Sequence, residues 1–181
     1  HWYTLNPAIL PIPSGFPLAA GLGARLGGTV TLANDAQAAA WGEHRHGAGD
    51  GRDIVFLTVS TGIGGGVVSG GRLLSGANGV AASVGQTSLA VDAAGRVEDI
   101  AGGGGIAAAA RAAGHDTDAR GVFAAAAAGA DWAGPIVARS TAIIARLVHD
   151  LQMLFDPAFV VIGGSIGLAA GFLDRLRAAL A

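Results

Sequence analysis

Four places in the sequence carry groups suited to chemistry: the pair Asn34-Asp35, the run Ser60-Thr61-Gly62-Ile63-Gly64-Gly65-Gly66, the carboxylate Glu98 and the run Gly163-Gly164-Ser165. A carboxylate delivered at a strand end can take a proton from a hydroxyl, so Asp35 is a candidate general base. Glycines after an apolar strand let the backbone turn with its N–H groups converging on one point, which suits a phosphate. Each pattern also has a plainer reading. Asp35 precedes the helix-forming run 36–43 and would serve there as an N-cap. The glycines lie between the apolar runs IVFLTV and VV and would serve as a hairpin turn without a ligand. The run is not a Walker loop, because no Gly-Lys-Ser/Thr follows, and it misses the spacing of the dinucleotide fingerprint. What favours chemistry is the combination: a carboxylate at one strand end and glycine turns at two others outline a cleft that a nucleotide would fit.

The elements that must position these groups alternate between helix and strand. Residues 16–26 read as a short helix closed by Gly27-Gly28, and residues 29–33 as the strand that ends in Asn34 and Asp35. Residues 53–60 form an apolar strand, and Ser69-Gly70-Gly71 has the composition of a second hairpin turn. Residues 76–86 are a loop of small residues, either a flexible surface loop or a place of close approach to a ligand. Gly95-Arg96-Val97-Glu98 opens a helix whose first turn carries Glu98 and Asp99, a placement that the helix dipole favours by itself. The alanine-rich stretch 106–128 reads as two short helices interrupted near Gly114 and Gly121, anchored by Val122 and Phe123 and remote from function. Residues 135–155 place Ile136, Ile143, Ile144, Leu147, Leu151 and Leu154 on one stripe, with Arg139, Arg146 and Asp150 opposite, as in a core helix. The unbroken run Phe159-Val160-Val161-Ile162 follows as a buried strand, and residues 166–181 as a last helix.

Composition removes several classes of function. The formal net charge is −2 and 13% of the 181 residues are charged, against a norm of about 25%. No field attracts nucleic acid, and a DNA-binding role for this segment is not expected. The long uncharged stretches are interrupted by prolines (7, 11, 13 and 17) or by glycines, so neither is a membrane helix. With no secretory signal and no cysteine, disulfides and thiolate metal sites are excluded and a cytoplasmic protein is expected. The chain starts at His1 inside a proline-rich run and reads as a fragment.

Two blocks carry a resemblance. Asn34-Asp35-Ala36-Gln37-Ala38-Ala39-Ala40-Trp41 and Val59-Ser60-Thr61-Gly62-Ile63-Gly64-Gly65-Gly66-Val67-Val68-Ser69-Gly70-Gly71 are similar to the ROK family of sugar kinases and sugar-responsive repressors. The resemblance implies an α/β, actin-like (ribonuclease H-like) ATPase fold of two lobes with ATP, Mg2+ and sugar meeting between them. Residues 1–28 would be the end of the N-terminal lobe and the inter-lobe segment, and residues 29–181 the C-terminal lobe. It implies Asp35 as the catalytic base and Asn34 as a sugar-hydroxyl partner. Thr61, Gly62, Gly64, Gly65 and Gly66 would form the second phosphate turn, and Gly163, Gly164 and Ser165 the adenosine turn. Glu98 would contact the sugar. The reaction implied is phosphorylation of a hexose-type hydroxyl, with N-acetylmannosamine converted to its 6-phosphate as the nearest likeness, and the family precedent is a homodimer. Two other readings stand beside it: a sugar-responsive regulator or degenerate sugar-binding homologue, and a nucleotide-binding domain of the actin type without sugar dependence.

The sequence departs from the family in two respects. The Asp-x-Gly-Gly-Thr-like phosphate segment is absent, and the family's last helical segment is expected to be missing. In the metal and sugar loop the family places Glu or His followed by a zinc-binding His, where this chain has Ser83 and Gln86. Its cysteine zinc loop is shortened to Ala93-Ala94-Gly95-Arg96. The expectation is therefore an altered sugar pocket containing Ser83 and Gln86, and no structural zinc.

Overall fold

The computed structural model describes residues 11–13, 15–88 and 95–181, and the chain divides into two compact units, His1–Asn34 and Asp35–Ala181. In the first unit, helix α1 (Leu18–Leu26) ends as its glycines dictate. Gly27 adopts a left-handed φ of 68° and donates its N–H to the Gly23 carbonyl at 2.9 Å. The strand expected over residues 29–33 is not formed. Alternating β-branched residues supply propensity, but a strand needs a neighbour to satisfy its backbone, and every described strand belongs to the second unit's sheet.

The second unit is built on helix α2 (Asp35–His46), strands β1 (Ile54–Val59), β2 (Ile63–Ser69) and β3 (Arg72–Leu73), helices α3 (Val97–Ala101), α4 (Gly103–Ala112), α5 (Ala119–Ala127) and α6 (Ala133–Phe155), strand β4 (Phe159–Gly163) and helix α7 (Phe172–Leu180). A single 3-10 turn, Val84–Gln86, sits in the loop before α3. The four strands form one sheet in the order β3-β2-β1-β4, with β1 antiparallel to β2 and parallel to β4. Both faces of β1 are covered, which is why its sequence is apolar without alternation. Val55, Leu57 and Val59 join the large core under α3 to α7, while Ile54 and Phe56 pack with Ala40 of α2 and Val68 on the other face.

Glycine decides how closely α2 lies on the sheet. A Cβ on Gly66 would stand 2.5 Å from that of Ala40, and one on Gly64 would stand 2.8 Å from that of Ala36. These glycines were expected to curl into a phosphate cradle. Instead they belong to β2, where Gly64, Gly65 and Gly66 face Thr58, Leu57 and Phe56 across the ladder. The turn is shorter, Ser60-Thr61-Gly62, and closes a β1-β2 hairpin. The second hairpin is as expected: Gly70 and Gly71, at φ 57° and 71°, form a two-residue loop between β2 and β3.

Other expectations need correction. Gly114 (φ 85°) does separate α4 from α5, but Gly121 lies inside α5 and does not interrupt it. Its N–H is taken at 2.9 Å by the side chain of Asp118, the N-cap. In α6 the stripe stops short: Ile144, Leu147 and Leu151 are buried, whereas Leu154 is 61% exposed. The run 159–162 is a half-buried edge strand and not a central one, because among the described strands β1 is its sole neighbour. The last helix begins at Phe172 and not at residue 166. Gly164 and Gly171 are both left-handed, and Val59 draws the N–H groups of Ile166 and Gly167 onto its carbonyl at 2.9 and 3.1 Å.

Candidate active site

The carboxyl ends of the parallel pair β1 and β4 lie side by side, the arrangement at which α/β sheets bind ligands. β1 delivers the Ser60-Thr61-Gly62 turn and β4 delivers Gly163, Gly164 and Ser165. The two turns touch through their hydroxyls, with Ser60 Oγ 3.1 Å from Ser165 Oγ. Gly164 has to be glycine: its φ is 86°, and a Cβ there would run into the Val59 backbone.

Helix α4 closes on the first turn from the side. The N–H groups of Gly103 and Gly104 donate to the carbonyls of Ser60 and Thr61 at 2.8 and 3.0 Å. That approach needs small residues, since a Cβ on Gly103 would stand 2.9 Å from the Ser60 oxygen. Between these pieces is a cavity of about 520 Å³ lined by residues including Thr61, Gly103, Gly104, Arg120, Phe123 and Ser165. Its volume suits a small-molecule ligand, typically about 300 to 1,000 Å³. Helices α4 and α5, from the stretch expected to be remote from function, supply part of its walls. The run Gly102-Gly103-Gly104-Gly105 was the available signal, a second place where backbone must approach backbone.

The polar side chains gather where the same turn enters β2, at Gly62 and Ile63. Glu98, in the first turn of α3, accepts the Ile63 N–H on Oε2 at 3.0 Å and the Gln86 side-chain amide on Oε1 at 3.1 Å. Gln86 in turn accepts from Arg96 Nη1 at 2.7 Å. Arg96 grips Asp99 with Nε and Nη2, each at 2.8 Å, and this hydrogen-bonded pairing holds the Asp99 carboxyl below its ordinary range. Residues 79–85 of the loop before α3 are tied to the rest of the unit. The buried Gln37 amide of α2 donates to the carbonyls of Gly79 and Ala81 at 3.2 and 2.8 Å, and Val84 and Gly85 are buried.

Asp35 opens α2 and takes the Ala36 N–H on its own carboxylate at 2.9 Å. Ala36 packs over Gly64, one residue from the Ile63 that binds Glu98, so Asp35 and Glu98 belong to the same end of β2. Ser83 begins the 3-10 turn that ends at Gln86, and among the described residues its hydroxyl bonds neither Gln86 nor Glu98. Asn34 closes the first unit. Of the shortened loop, Ala93 and Ala94 lie outside the described residues. Among the described residues no three His, Cys, Asp or Glu side chains are grouped to hold a metal ion. No described helix is long and apolar enough to cross a membrane.

The chain matches the ROK family over residues 3–181. It is 54% identical to the bifunctional enzyme NanE/NanK of Brucella melitensis, over 99% of this chain and 35% of that protein. It is 50% identical to the N-acetylmannosamine kinase of Citrobacter koseri, over 98% of this chain and 63% of that one. Among solved structures, the ROK family glucokinase of Streptomyces griseus in complex with glucose and AMPPNP superposes with a TM-score of 0.77 at 30% identity, over 90% of this chain and 61% of that chain. The chain thus spans less than two thirds of the length of these relatives.

Proposed function

The chain belongs to the ROK family, and on that premise we propose that the protein containing it is an ATP-dependent kinase of a hexose-type sugar, with N-acetylmannosamine phosphorylated on its 6-hydroxyl. The observation that supports this most is the gathering of two chemistries along one short stretch, Thr61 to Gly64. Thr61 and Ser165 border a cavity of nucleoside size, while Glu98 binds the backbone at Ile63 and Asp35 starts the helix packed on Gly64.

In this reading Asp35 accepts the proton of the sugar hydroxyl as its oxygen bonds to the γ-phosphorus and the bond to the departing ADP breaks. Glu98 receives hydrogen bonds from sugar hydroxyls, and Asn34, Ser83 and Gln86 complete the sugar pocket. Thr61, Gly62 and the positive end of α4 face the phosphates. Gly163, Gly164 and Ser165 border the nucleoside. Gly64 and Gly66 act indirectly, by letting α2 and its carboxylate approach the sheet, and Gly65 does the same for the loop at Ala82 and Val84. A magnesium ion on the phosphate oxygens would neutralise the charge that develops during transfer, and zinc has no part. A cytoplasmic homodimer, with residues 29–181 as the C-terminal lobe, completes the proposal. The test is a coupled assay of the complete protein with ATP and a panel of hexoses, the product located by phosphorus NMR. N-acetylmannosamine-dependent ADP release with a 6-phosphate product is expected. ADP release indifferent to every sugar would leave only a nucleotide-binding domain.

A further inference from the structure

An amide side chain has two chemically opposite ends of nearly the same shape, so packing alone does not decide which way Gln86 points. Its surroundings do. On one side stands the Arg96 guanidinium, which carries donors only; on the other stands Oε1 of Glu98, which as a carboxylate accepts only. One orientation satisfies both neighbours, with the amide oxygen on Nη1 at 2.7 Å and the amide nitrogen on Oε1 at 3.1 Å. The flipped amide would set N–H against N–H and oxygen against oxygen. Arg96 is itself held by the two-pronged grip on Asp99, which fixes the plane of the guanidinium. The backbone adds a second tie between the same segments, from the Val97 N–H to the Thr87 carbonyl at 2.9 Å.

We propose that Arg96 is a positioning residue for the sugar: through Gln86 it sets the rotamer of Glu98, so that the carboxylate meets the sugar hydroxyls already oriented. The inference rests on the kinase reading above and on Glu98 as the sugar contact. Arg96 touches no reacting atom. Its contribution is that Glu98 is held at both oxygens, by Gln86 and by the Ile63 N–H, and does not have to be ordered when sugar binds. Lysine cannot replace it, since a single ammonium cannot span Asp99 and Gln86 with the geometry of a planar fork.

The test is a double-mutant cycle in the complete protein with Arg96→Ala, Gln86→Ala and the pair, together with Arg96→Lys. Loss of an oriented charged hydrogen bond should raise the sugar KM by about 10-fold in Arg96→Ala. The kcat and the KM for ATP should stay within about twofold, and Arg96→Lys should fall with Arg96→Ala. Because Arg96 acts through Gln86, adding Arg96→Ala to Gln86→Ala should raise the sugar KM no further. Separately from activity, the Gln86 side-chain amide resonances should shift and broaden in Arg96→Ala. Fully additive effects, a lowered melting temperature with unchanged sugar KM, or unmoved Gln86 resonances would each overturn the proposal. A wild-type protein that phosphorylates no sugar would instead sink the kinase reading, and the positioning role with it, visible in the baseline rather than in the variants.

Discussion

In the proposed reading Asp35 holds two jobs that substitution can separate. Its carboxylate takes the Ala36 N–H at 2.9 Å, a structural bond that an Asn oxygen keeps. Proton acceptance is lost in the same change. In the complete protein, Asp35→Asn should lower kcat by at least about 10²- to 10⁴-fold with melting temperature and ATP affinity near wild type. Asp35→Ala should in addition cost about 1 kcal/mol of stability. A fully active Asp35→Asn enzyme, by steady-state kinetics, would remove Asp35 from the mechanism and leave it a helix start. The two acids were not equally legible in the sequence. Asp35 stands out because Asn-Asp before a helix-forming run is a local pattern. Glu98 reads locally as no more than a favourable helix-start charge; its partners, Ile63 and Gln86, come from other elements, and only family resemblance pointed to it. Arg120 and Phe123 carried no local signal at all, since they line the cavity only because α5 packs across α4.

Among the elements, glycine serves opposite purposes at two sites in β2 and its hairpin. Gly66 is needed for space: an added methyl meets Ala40 at 2.5 Å and the Ala36 carbonyl at 3.0 Å, both parts of a packed helix. Gly70 is needed for conformation: its φ is 57° and nothing lies within 4 Å of an added Cβ. Gly66→Ala should therefore destabilise by about 1 to 3 kcal/mol through overpacking and shift α2 with Asp35. Gly70→Ala should cost about 1 to 2 kcal/mol through left-handed strain and leave the site alone. Denaturant melts together with kcat for both variants would separate space from strain. The same hairpin carries a pH dependence. The Gly70 N–H, then the Ser69 hydroxyl, hold the Asp53 carboxyl below its ordinary value. A lowered folded pKa means that this stabilisation is complete above the unfolded carboxylate value and is lost as pH falls through the folded one. Asp53→Asn should flatten the acid side of a melting-temperature profile; an unchanged acid limb would show that the turn does not sense that charge. The sequence exposed this hairpin fully, because a two-residue Gly-Gly loop is a local rule. It missed that Gly64, Gly65 and Gly66 lie within β2, because what needs them small is packed from elsewhere in the chain: α2 against Gly64 and Gly66, and Ala82 and Val84 against Gly65.

At the scale of the whole molecule, alternating elements and the two glycine turns made the α/β class legible, while the absence of a strand at 29–33 and the half-buried edge position of β4 were not. Both errors have one cause: propensity names a strand, but its neighbours decide whether it pairs and how deeply it lies. Metal content is a whole-chain property too. His44 is buried with Nδ1 2.9 Å from the Arg52 carbonyl, and His46 is exposed on the same helix. Elemental analysis should therefore find no tightly bound zinc, and about one zinc per chain would contradict this. Catalysis asks more of the molecule than the residues gathered here supply. The cavity proposed for the nucleotide is walled by two turns, α4 and α5, and the Asp-x-Gly-Gly-Thr-like phosphate segment expected of the family is absent from the 181 residues. Phosphoryl transfer depends on enclosing the phosphates and excluding water. The isolated 181-residue polypeptide should therefore bind adenine nucleotides weakly and show no sugar-dependent ADP release above the uncatalysed background. The measurement is a coupled assay on the purified polypeptide, with its Asp35→Asn variant as the control for contaminating kinase. Sugar-dependent turnover that disappears in the variant would mean that these residues enclose the phosphates unaided.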